Sequence, residues 1–146
     1  LIRYSERSGF MSYFTAGFVF SLLDDNEGRI WYGTWGQGLG WFDKKTNTLN
    51  RIENAPNATR SLSSDKIIAL YEDISNNLWV GTKGGGVNVI PLHMISEGNS
   101  DFVTYRHSLK DNKSLSHNDV YCILQDHLVL YAFARLNRLV KDLKTC

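Results

Sequence analysis

Short apolar runs of strand length alternate with polar turns along most of the chain. Ile67–Glu72 is a nearly continuous apolar run, which is typical of a strand covered on both faces, and Val19–Leu23 has the same character. A turn that begins with aspartate follows each run and places Gly28 or Asn76 where a left-handed backbone is needed. The pattern therefore predicts antiparallel hairpins.

The hydrophobic pattern recurs because the sequence itself is repeated. Residues 19–43 align with residues 67–91 at a shift of 48, and residues 61–73 align with residues 114–126 at a shift of 53. Four predicted strands in about 48 residues correspond to one blade of a β-propeller. After the first strand of each copy, the predicted strands are Arg29–Thr34, Leu39–Phe42 and Thr48–Ile52, then Asn77–Thr82, Val87–Ile90 and Phe102–Tyr105.

The repeat predicts an all-β chain, namely a partial β-propeller of about two complete four-stranded antiparallel blades plus the start of a third. Because blades stack on neighbours in rings of about 4–8, two blades cannot close a ring. We therefore expect a fragment, a truncated or frameshifted product, or a subunit of an oligomer. The predicted boundaries are the end of a preceding blade at 1–13, blades at 14–60 and 61–113, the start of a further blade at 114–126, and a helix at 127–146.

The last segment departs from the repeat after Asp126. On a helical wheel, apolar residues from Leu128 to Leu143 fall within about 140°, and cationic residues cluster in the last turns, where the helix dipole favours positive charge. This pattern predicts a C-terminal amphipathic helix that covers apolar surface in place of the missing strands. Binding to calmodulin or to a membrane surface is the alternative for such a helix.

Composition and charge exclude some classes of function. The chain has 146 residues and a net charge of +1, so it carries no field that would favour nucleic acid as a partner. Cys122 is expected to be a small buried hydrophobic residue and Cys146 a terminal thiol, and a disulfide between the two is the alternative. Histidines and cysteines show no metal-ligand spacing, and we predict neither a metal nor another cofactor.

Residues that recur in both copies are predicted to be structural. A turn is needed in every blade, whereas a catalytic carboxylate pair is needed once, so we interpret the aspartates as turn caps; a glycosidase pair is the alternative. The recurring tryptophans are predicted to lie in the core between blades. The structural repeat residues are Asp25, Trp31, Gly33 and Thr34 in the first copy and Asp73, Trp79, Gly81 and Thr82 in the second.

Residues that differ between the copies are better candidates for ligand binding. Trp35 and Lys83 share one position between the Gly-Thr pair and the glycine-rich reversal, and Gln37 stands close to it. An exposed indole offers a stacking surface to a sugar ring, and lysine or glutamine offers hydrogen-bond donors to hydroxyl groups. An ordinary loop role is the alternative for all three residues.

The repeated segments resemble a known family. "LLDDNEGRIWYGTWGQGLGWFD" and "LYEDISNNLWVGTKGGGVNVI", with "SLSSDKI" and "SLSHNDV" as lead-ins, resemble the two-component regulator propeller repeat over residues 14–126. The resemblance implies a periplasmic sensor domain of a hybrid two-component histidine kinase, whose complete propeller binds an oligosaccharide from a complex glycan. It implies a kinase module elsewhere in the full-length chain and no enzymatic activity in this segment.

Two other functions stay open at this point. One is a propeller enzyme, either a lyase or a glycoside hydrolase, and the other is a scaffold that binds proteins through an exposed blade flank or the terminal helix. Those surfaces are also the expected contacts of a homo-oligomer. The second copy departs from the family pattern, since Ile90 and Pro91 replace its usual Phe-Asp, and this predicts an irregular outer edge.

Overall fold

The structure is a computed structural model that describes residues 2–5, 9–12, 17–55, 61–96, 102–126 and 129–134. Strands account for nearly all the regular structure in these residues. The elements are β1 (Ile2–Ser5), β2 (Gly9–Ser12), β3 (Val19–Asp24), β4 (Arg29–Thr34), β5 (Leu39–Asp43), β6 (Thr48–Ile52), β7 (Ile67–Glu72), β8 (Asn77–Thr82), β9 (Val87–Pro91), α1 (Leu92–Ser96), β10 (Val103–Tyr105), β11 (Val120–Asp126) and β12 (Val129–Ala134).

Eight of the strands form two complete sheets of the same design. In the first blade β3, β4, β5 and β6 lie side by side in chain order, and in the second blade β7, β8, β9 and β10 repeat that order. Every neighbouring pair is antiparallel. The predicted four-stranded antiparallel blades are confirmed, and the two sheets fall within the predicted ranges 14–60 and 61–113. The exact domain boundaries stay predictions.

Two further hairpins precede and follow these sheets along the chain. β1 pairs with β2, and β11 pairs with β12.

In the two complete blades, the predicted strand ends agree with the observed ones to within one residue. The turn residues also behave as predicted, because Gly28 has a φ of 91° and Asn76 a φ of 59°. Both residue types tolerate this left-handed region, which suits them to the tight hairpin turn.

The first strand of each unit carries a bulge at the same place. The pairing register shifts between Val19 and Ser21 in β3 and between Ile67 and Ala69 in β7. In β11 it shifts at the corresponding position, before Cys122. A bulge inserts one unpaired residue and increases the local twist. The sequence repeat is therefore reproduced residue by residue in the backbone.

The first interface, between the two complete blades, is a core of buried hydrophobic side chains. Trp31 is fully buried there, and its ring packs 4.9 Å from that of Trp41, measured between ring centroids. Both blades and the segment before β7 supply the remaining buried side chains, so burial joins the two sheets. The buried residues of this core are Trp31, Leu39, Leu62, Ile67, Leu78, Val80, Ile90 and Leu92.

The second interface, between the second blade and β11, repeats this arrangement. Trp79 takes the position of Trp31, and Leu115 takes that of Leu62. Both tryptophans thus lie in the cores between adjacent sheets, where their apolar surface is removed from water. The buried residues of the second core are Ala69, Trp79, Val87, Val89, Leu115, Val120 and Ile123.

The outer faces of the first and last units carry exposed apolar side chains. Leu22 is 60% exposed, whereas its counterpart Leu70 packs against the first interface. At the other end, Cys122 is exposed although its counterpart Ala69 is buried in the second interface. The prediction that Cys122 is buried is wrong. In the described part of the chain, no further sheet packs on the face that carries it.

The predicted C-terminal helix is wrong where the structure describes it. Val129–Ala134 is strand β12, whose backbone pairs with β11 from Asp126 back to Val120. An apolar run of this length fits either a helix or a strand, and the available partner decides. Here β11 presents a row of backbone groups that need hydrogen bonds, and an extended segment satisfies them. The other predicted helical residues, 127–128 and 135–146, lie outside the described residues.

The outer edge of the second blade is irregular, as predicted. Pro91 ends β9, and the short helix α1 follows at once. The fourth strand, β10, then has three residues, whereas its counterpart β6 has five. Proline has no backbone N–H for a sheet ladder, which is consistent with a strand that ends there. Leu92, the first residue of α1, is buried in the first interface.

Candidate ligand-binding site at the first interface

The aspartate of the first turn is saturated with hydrogen-bond donors. Its Oδ1 accepts from the backbone N–H groups of Glu27 at 2.9 Å and Arg29 at 2.8 Å. Its Oδ2 accepts from Trp31 Nε1 at 2.7 Å and Arg29 Nε at 2.6 Å. Burial raises the pKa of Asp25, but these hydrogen bonds together lower the pKa below its usual value. Both oxygens of the Asp25 carboxylate are therefore occupied by hydrogen bonds to its own turn, to Arg29 and to Trp31.

The second turn repeats the same network around Asp73. Its Oδ1 accepts from the backbone N–H groups of Ser75 and Asn77, and its Oδ2 accepts from Trp79 Nε1 at 2.7 Å. The Asn77 side chain takes the place of the arginine and donates to Oδ2 at 3.0 Å. Asp25 and Asp73 are both nearly buried. Both carboxylates therefore accept hydrogen bonds from their own turn and from the following tryptophan.

Each Gly-Thr pair has two structural roles. The threonine forms a hydrogen bond across the glycine-rich reversal, and the glycine leaves space for the first strand of the next unit. Thr34 Oγ1 donates to the carbonyl of Gly38 at 2.8 Å, and Thr82 Oγ1 donates to that of Gly86 at 2.9 Å. A Cβ placed on Gly33 would lie 2.5 Å from Ile67 Cγ2, in the first strand of the next blade. Gly81 stands in the same relation to the carbonyl oxygen of Val120, at 2.9 Å. These positions shape the blade rather than a binding site.

The reversals and the lead-in segments form one edge of the two blades, which we call the reversal edge. It consists of the reversals 35–38 and 83–86 and the lead-in segments 61–66 and 114–119. The backbone N–H of Gly36 donates to Asp65 O at 2.9 Å, and that of Gly86 donates to Asn118 O at 2.8 Å. Each lead-in segment is therefore fastened to the reversal of the blade before it.

Two of the three predicted ligand-binding residues meet on this edge. The Nζ atom of Lys83 lies 5.5 Å from the centroid of the Trp35 ring, although the two residues belong to different blades. The Nζ atom of Lys66 lies 5.6 Å from the same centroid. The ring of Phe20 packs beside the indole at 5.1 Å. Trp35, Lys66, Lys83 and Phe20 form the group that we call the tryptophan cluster.

Gln37, the third predicted residue, lies on another side of the turn. A Cβ placed on Gly17 would lie 3.4 Å from Gln37 Cδ, so the amide packs over that backbone. The backbone N–H of Trp35 donates to Phe18 O at 2.9 Å on this side, whereas Lys66 forms a β-bridge with Trp35 on the other. The structure does not bring Gln37 together with the lysines.

The tryptophan cluster is accessible to a ligand. Trp35 is 37% exposed and Phe20 is 55% exposed, and both lysines are exposed. A Cβ placed on Gly36 or Gly84 would meet no atom within 4 Å, so the crests of both reversals are open. Chemically, the group offers aromatic surface for stacking and two ammonium groups that donate hydrogen bonds.

Lys66 and Phe20 were not predicted from the sequence as site residues, yet the same criterion would have found them. Lys66 shares its repeat position with Phe18 and Asp119, and this position is as variable as the one shared by Trp35 and Lys83. Phe20 falls on the bulge of β3. The sequence did not show that Lys66 and Phe20 lie close to Trp35, since residues of different units, such as Lys66 and Trp35, meet only when the blades stack.

Metal and membrane features are lacking in the part of the chain that the structure describes. No three side chains of histidine, cysteine, aspartate or glutamate in that part lie close enough together to hold a metal ion. None of its helices has the length and apolar character needed to cross a bilayer.

The sequence repeats match a family model. The model of the two component regulator propeller matches residues 13–36 and 61–84, which contain the first two strands and the Gly-Thr pair of each blade. Two stretches of the chain are therefore similar to the repeat of this family. Each matched stretch also includes the segment before its first strand.

One curated protein and two solved structures are similar to parts of this chain. Histidine kinase P4 of Formosa agariphila is 28% identical over 79 residues, which are 54% of this chain and 6% of that protein. Two extracellular domains of hybrid two component systems from B. thetaiotaomicron match the fold, with TM-scores of 0.67 and 0.72 at 23% and 17% identity. The matches cover 81% and 94% of this chain, and 16% and 20% of those domains. The chain thus spans a small part of each relative.

Proposed function

We propose that this chain is part of the sensor propeller of a two-component signalling protein, which binds a ligand outside the cytoplasm and passes the signal to a histidine kinase. The two propeller repeats carry this proposal. The similarity to a histidine kinase and to extracellular domains of hybrid systems supports it. The periplasm is the compartment that we propose for these blades.

We propose that the ligand is an oligosaccharide and that the tryptophan cluster contacts it. Sugar rings present apolar C–H faces that stack on indole, and their hydroxyl groups accept hydrogen bonds from ammonium groups. Trp35 is an exposed aromatic residue between two blades, and ligands commonly bind where structural units meet. We propose that Gln37 contacts the ligand only if the ligand extends beyond the tryptophan cluster towards Gly17.

The proposed role is recognition without catalysis. A glycosidase needs two carboxyl groups that flank one glycosidic bond, and one of them must be able to donate a proton. The carboxylates of Asp25 and Asp73 each accept hydrogen bonds from their own turn and from a buried indole. The low pKa of Asp25 also disfavours a role as general acid.

We propose that further blades cover the outer faces of this chain. Leu22 and Leu124 are exposed, whereas their counterparts Leu70 and Tyr71 pack against neighbouring units. Blades of one propeller would bury both faces in the same manner. Sedimentation of this chain would test the proposal, because stable self-association through these faces would favour a second copy as the covering partner.

A binding experiment with one variant and one matched control tests the function. We expect at least one oligosaccharide from an array to bind, and we expect Trp35→Ala to weaken that binding at least tenfold, about 1.4 kcal/mol. Tyr121→Ala is the control, since Tyr121 is an aromatic residue of β11 that is 43% exposed and does not belong to the tryptophan cluster. Release of a cleaved product would favour an enzyme instead, and equal binding by both variants would remove Trp35 from the site.

A further inference from the structure

The two lysines of the tryptophan cluster are placed side by side by the backbone. Lys66 immediately precedes β7, and Lys83 immediately follows β8. The backbone N–H of Lys83 donates to Lys66 O at 2.9 Å, and Lys66 forms a β-bridge with Trp35. Two ammonium groups over one indole ring are therefore a consequence of strand pairing and blade stacking.

The two ammonium groups of the cluster, those of Lys66 and Lys83, have no ion-pair partner among the described residues. Two carboxylates of the reversal edge accept from backbone groups instead: Asp65 Oδ1 accepts from Asn54 N at 2.6 Å, and Asp119 Oδ1 accepts from Gly84 N at 2.8 Å. Two like charges that share a ring repel each other, and a bound anion would relieve that repulsion.

The paired charge is specific to the first interface and is not required by the repeat. The position of Lys66 holds Phe18 in the preceding unit and Asp119 in the following one, and the carbonyl oxygens of Phe18 and Lys66 each accept a backbone hydrogen bond, from Trp35 and Lys83 respectively. The position of Lys83 holds Trp35 in the first blade. Packing of the repeat therefore does not explain why two lysines meet here.

We infer that the oligosaccharide ligand is acidic and that its carboxylate or sulfate group binds between Lys66 and Lys83 while a sugar ring lies against Trp35. This inference rests on the proposed function, because it assumes that the tryptophan cluster binds a sugar. Lysine ammonium groups donate hydrogen bonds and cannot accept them, so a fully ionised acceptor satisfies them better than a hydroxyl group.

The inference is tested with neutral, uronic-acid and sulfated oligosaccharides of equal length, using neutral galactan, oligogalacturonate and sulfated galactan fragments as probes. We expect at least one acidic probe to bind at least tenfold more tightly than the neutral one, and we expect its affinity to fall as salt concentration rises. Binding of oligogalacturonate alone would assign a carboxylate, and binding of sulfated galactan alone would assign a sulfate.

Charge variants separate this inference from the function itself. Lys66→Gln combined with Lys83→Gln is expected to abolish the preference for the acidic probe, whereas the matching double arginine variant should retain it. Lys110→Gln is a control at an exposed lysine outside the cluster. If neutral and acidic probes bind equally well, and the double glutamine variant binds both with the same affinities, the inference of an acidic ligand is overturned. The proposed function as an oligosaccharide sensor would still stand. Failure of every oligosaccharide to bind the unmodified protein would overturn both.

Discussion

Replacement of Trp79 is the most direct test of how these blades are held together. The side chain is 2% exposed and lies in the second interface, where it is surrounded by residues of two units. The ring of Tyr105 stacks on it at 6.0 Å, and its Nε1 donates to Asp73 Oδ2. Trp79→Ala would remove packing across the interface and one donor of the turn network together.

The expected loss follows from the buried area. A buried tryptophan removes roughly 150–250 Å² from water, which corresponds to roughly 4–6 kcal/mol at about 25 cal/mol per Å². Observed losses for large core truncations are about 3–5 kcal/mol because the surroundings relax in part, and we expect Trp79→Ala to fall in that range. Trp79→Phe keeps most of the packing and removes the donor, for which we expect a loss of about 1–3 kcal/mol.

Trp35 provides the matched comparison, because it is a tryptophan at the edge of the same fold with 37% of its surface exposed. Its neighbours Phe20, Lys66 and Lys83 are exposed as well, so Trp35→Ala is expected to cost less than about 1 kcal/mol. Urea unfolding followed by far-ultraviolet circular dichroism measures all three variants without relying on tryptophan fluorescence. Equal losses for Trp79→Ala and Trp35→Ala would refute this account of core and site.

Two other perturbations probe the turns and the contact between blades. Burial raises the pKa of Glu72, which accepts a hydrogen bond from Asn26 of the first blade at 3.2 Å. A raised carboxyl pKa means that ionisation costs folding free energy near neutral pH, so Glu72→Gln should be more stable than the unmodified protein at pH 7, and this advantage should shrink as pH falls below the raised pKa. Thermal unfolding across that range measures it; an advantage that grows on acidification would contradict the assignment. Gly38→Ala should cost more than Gly36→Ala in urea unfolding: both residues have positive φ, but only at Gly38 would the new Cβ lie 2.2 Å from the carbonyl oxygen of Ile52.

Much of the architecture could be predicted because the repeat appears twice. A single Trp-x-Gly-Thr would be weak evidence, but Trp31 and Trp79 lie in matching places together with their aspartates and glycines. The hydrogen bonds of Asp25 and Asp73 explain the recurrence, since each carboxylate links its turn to the indole six residues later. The strand bounds followed from alternating runs and turns, which are local features.

The end of the chain shows where local pattern is insufficient. Val129–Ala134 reads as part of an amphipathic helix when taken with the residues after it, yet it is a strand. Its conformation depends on β11, whose backbone needs a partner, and hydrogen bonding to a neighbouring strand is not visible in helical periodicity. Cys122 was misjudged for a related reason, because burial of that face depends on which unit stacks against it.

The site was predicted in part. Trp35 and Lys83 were recognised because they interrupt the repeat, and the structure places Lys83 over the indole. Lys66 interrupts the repeat too, but its position beside Trp35 depends on the pairing of a lead-in segment with the reversal of another blade. Gln37 is close to Trp35 in sequence and yet its amide lies against Gly17, a contact that spacing along the chain does not reveal.

The amino-acid sequence by itself determined the period, the hairpins and the residues that every blade needs, since turns, bulges and alternating strands depend on neighbours within a few residues. Only the tertiary structure decided which faces are buried, whether the last apolar run is a strand, and which variable side chains meet. The physical reason is that packing and backbone pairing between units join residues such as Trp35 and Lys83 that are remote along the chain. The paired positive charge of the tryptophan cluster, on which the proposed acidic ligand rests, is one of the features that only the tertiary structure decided.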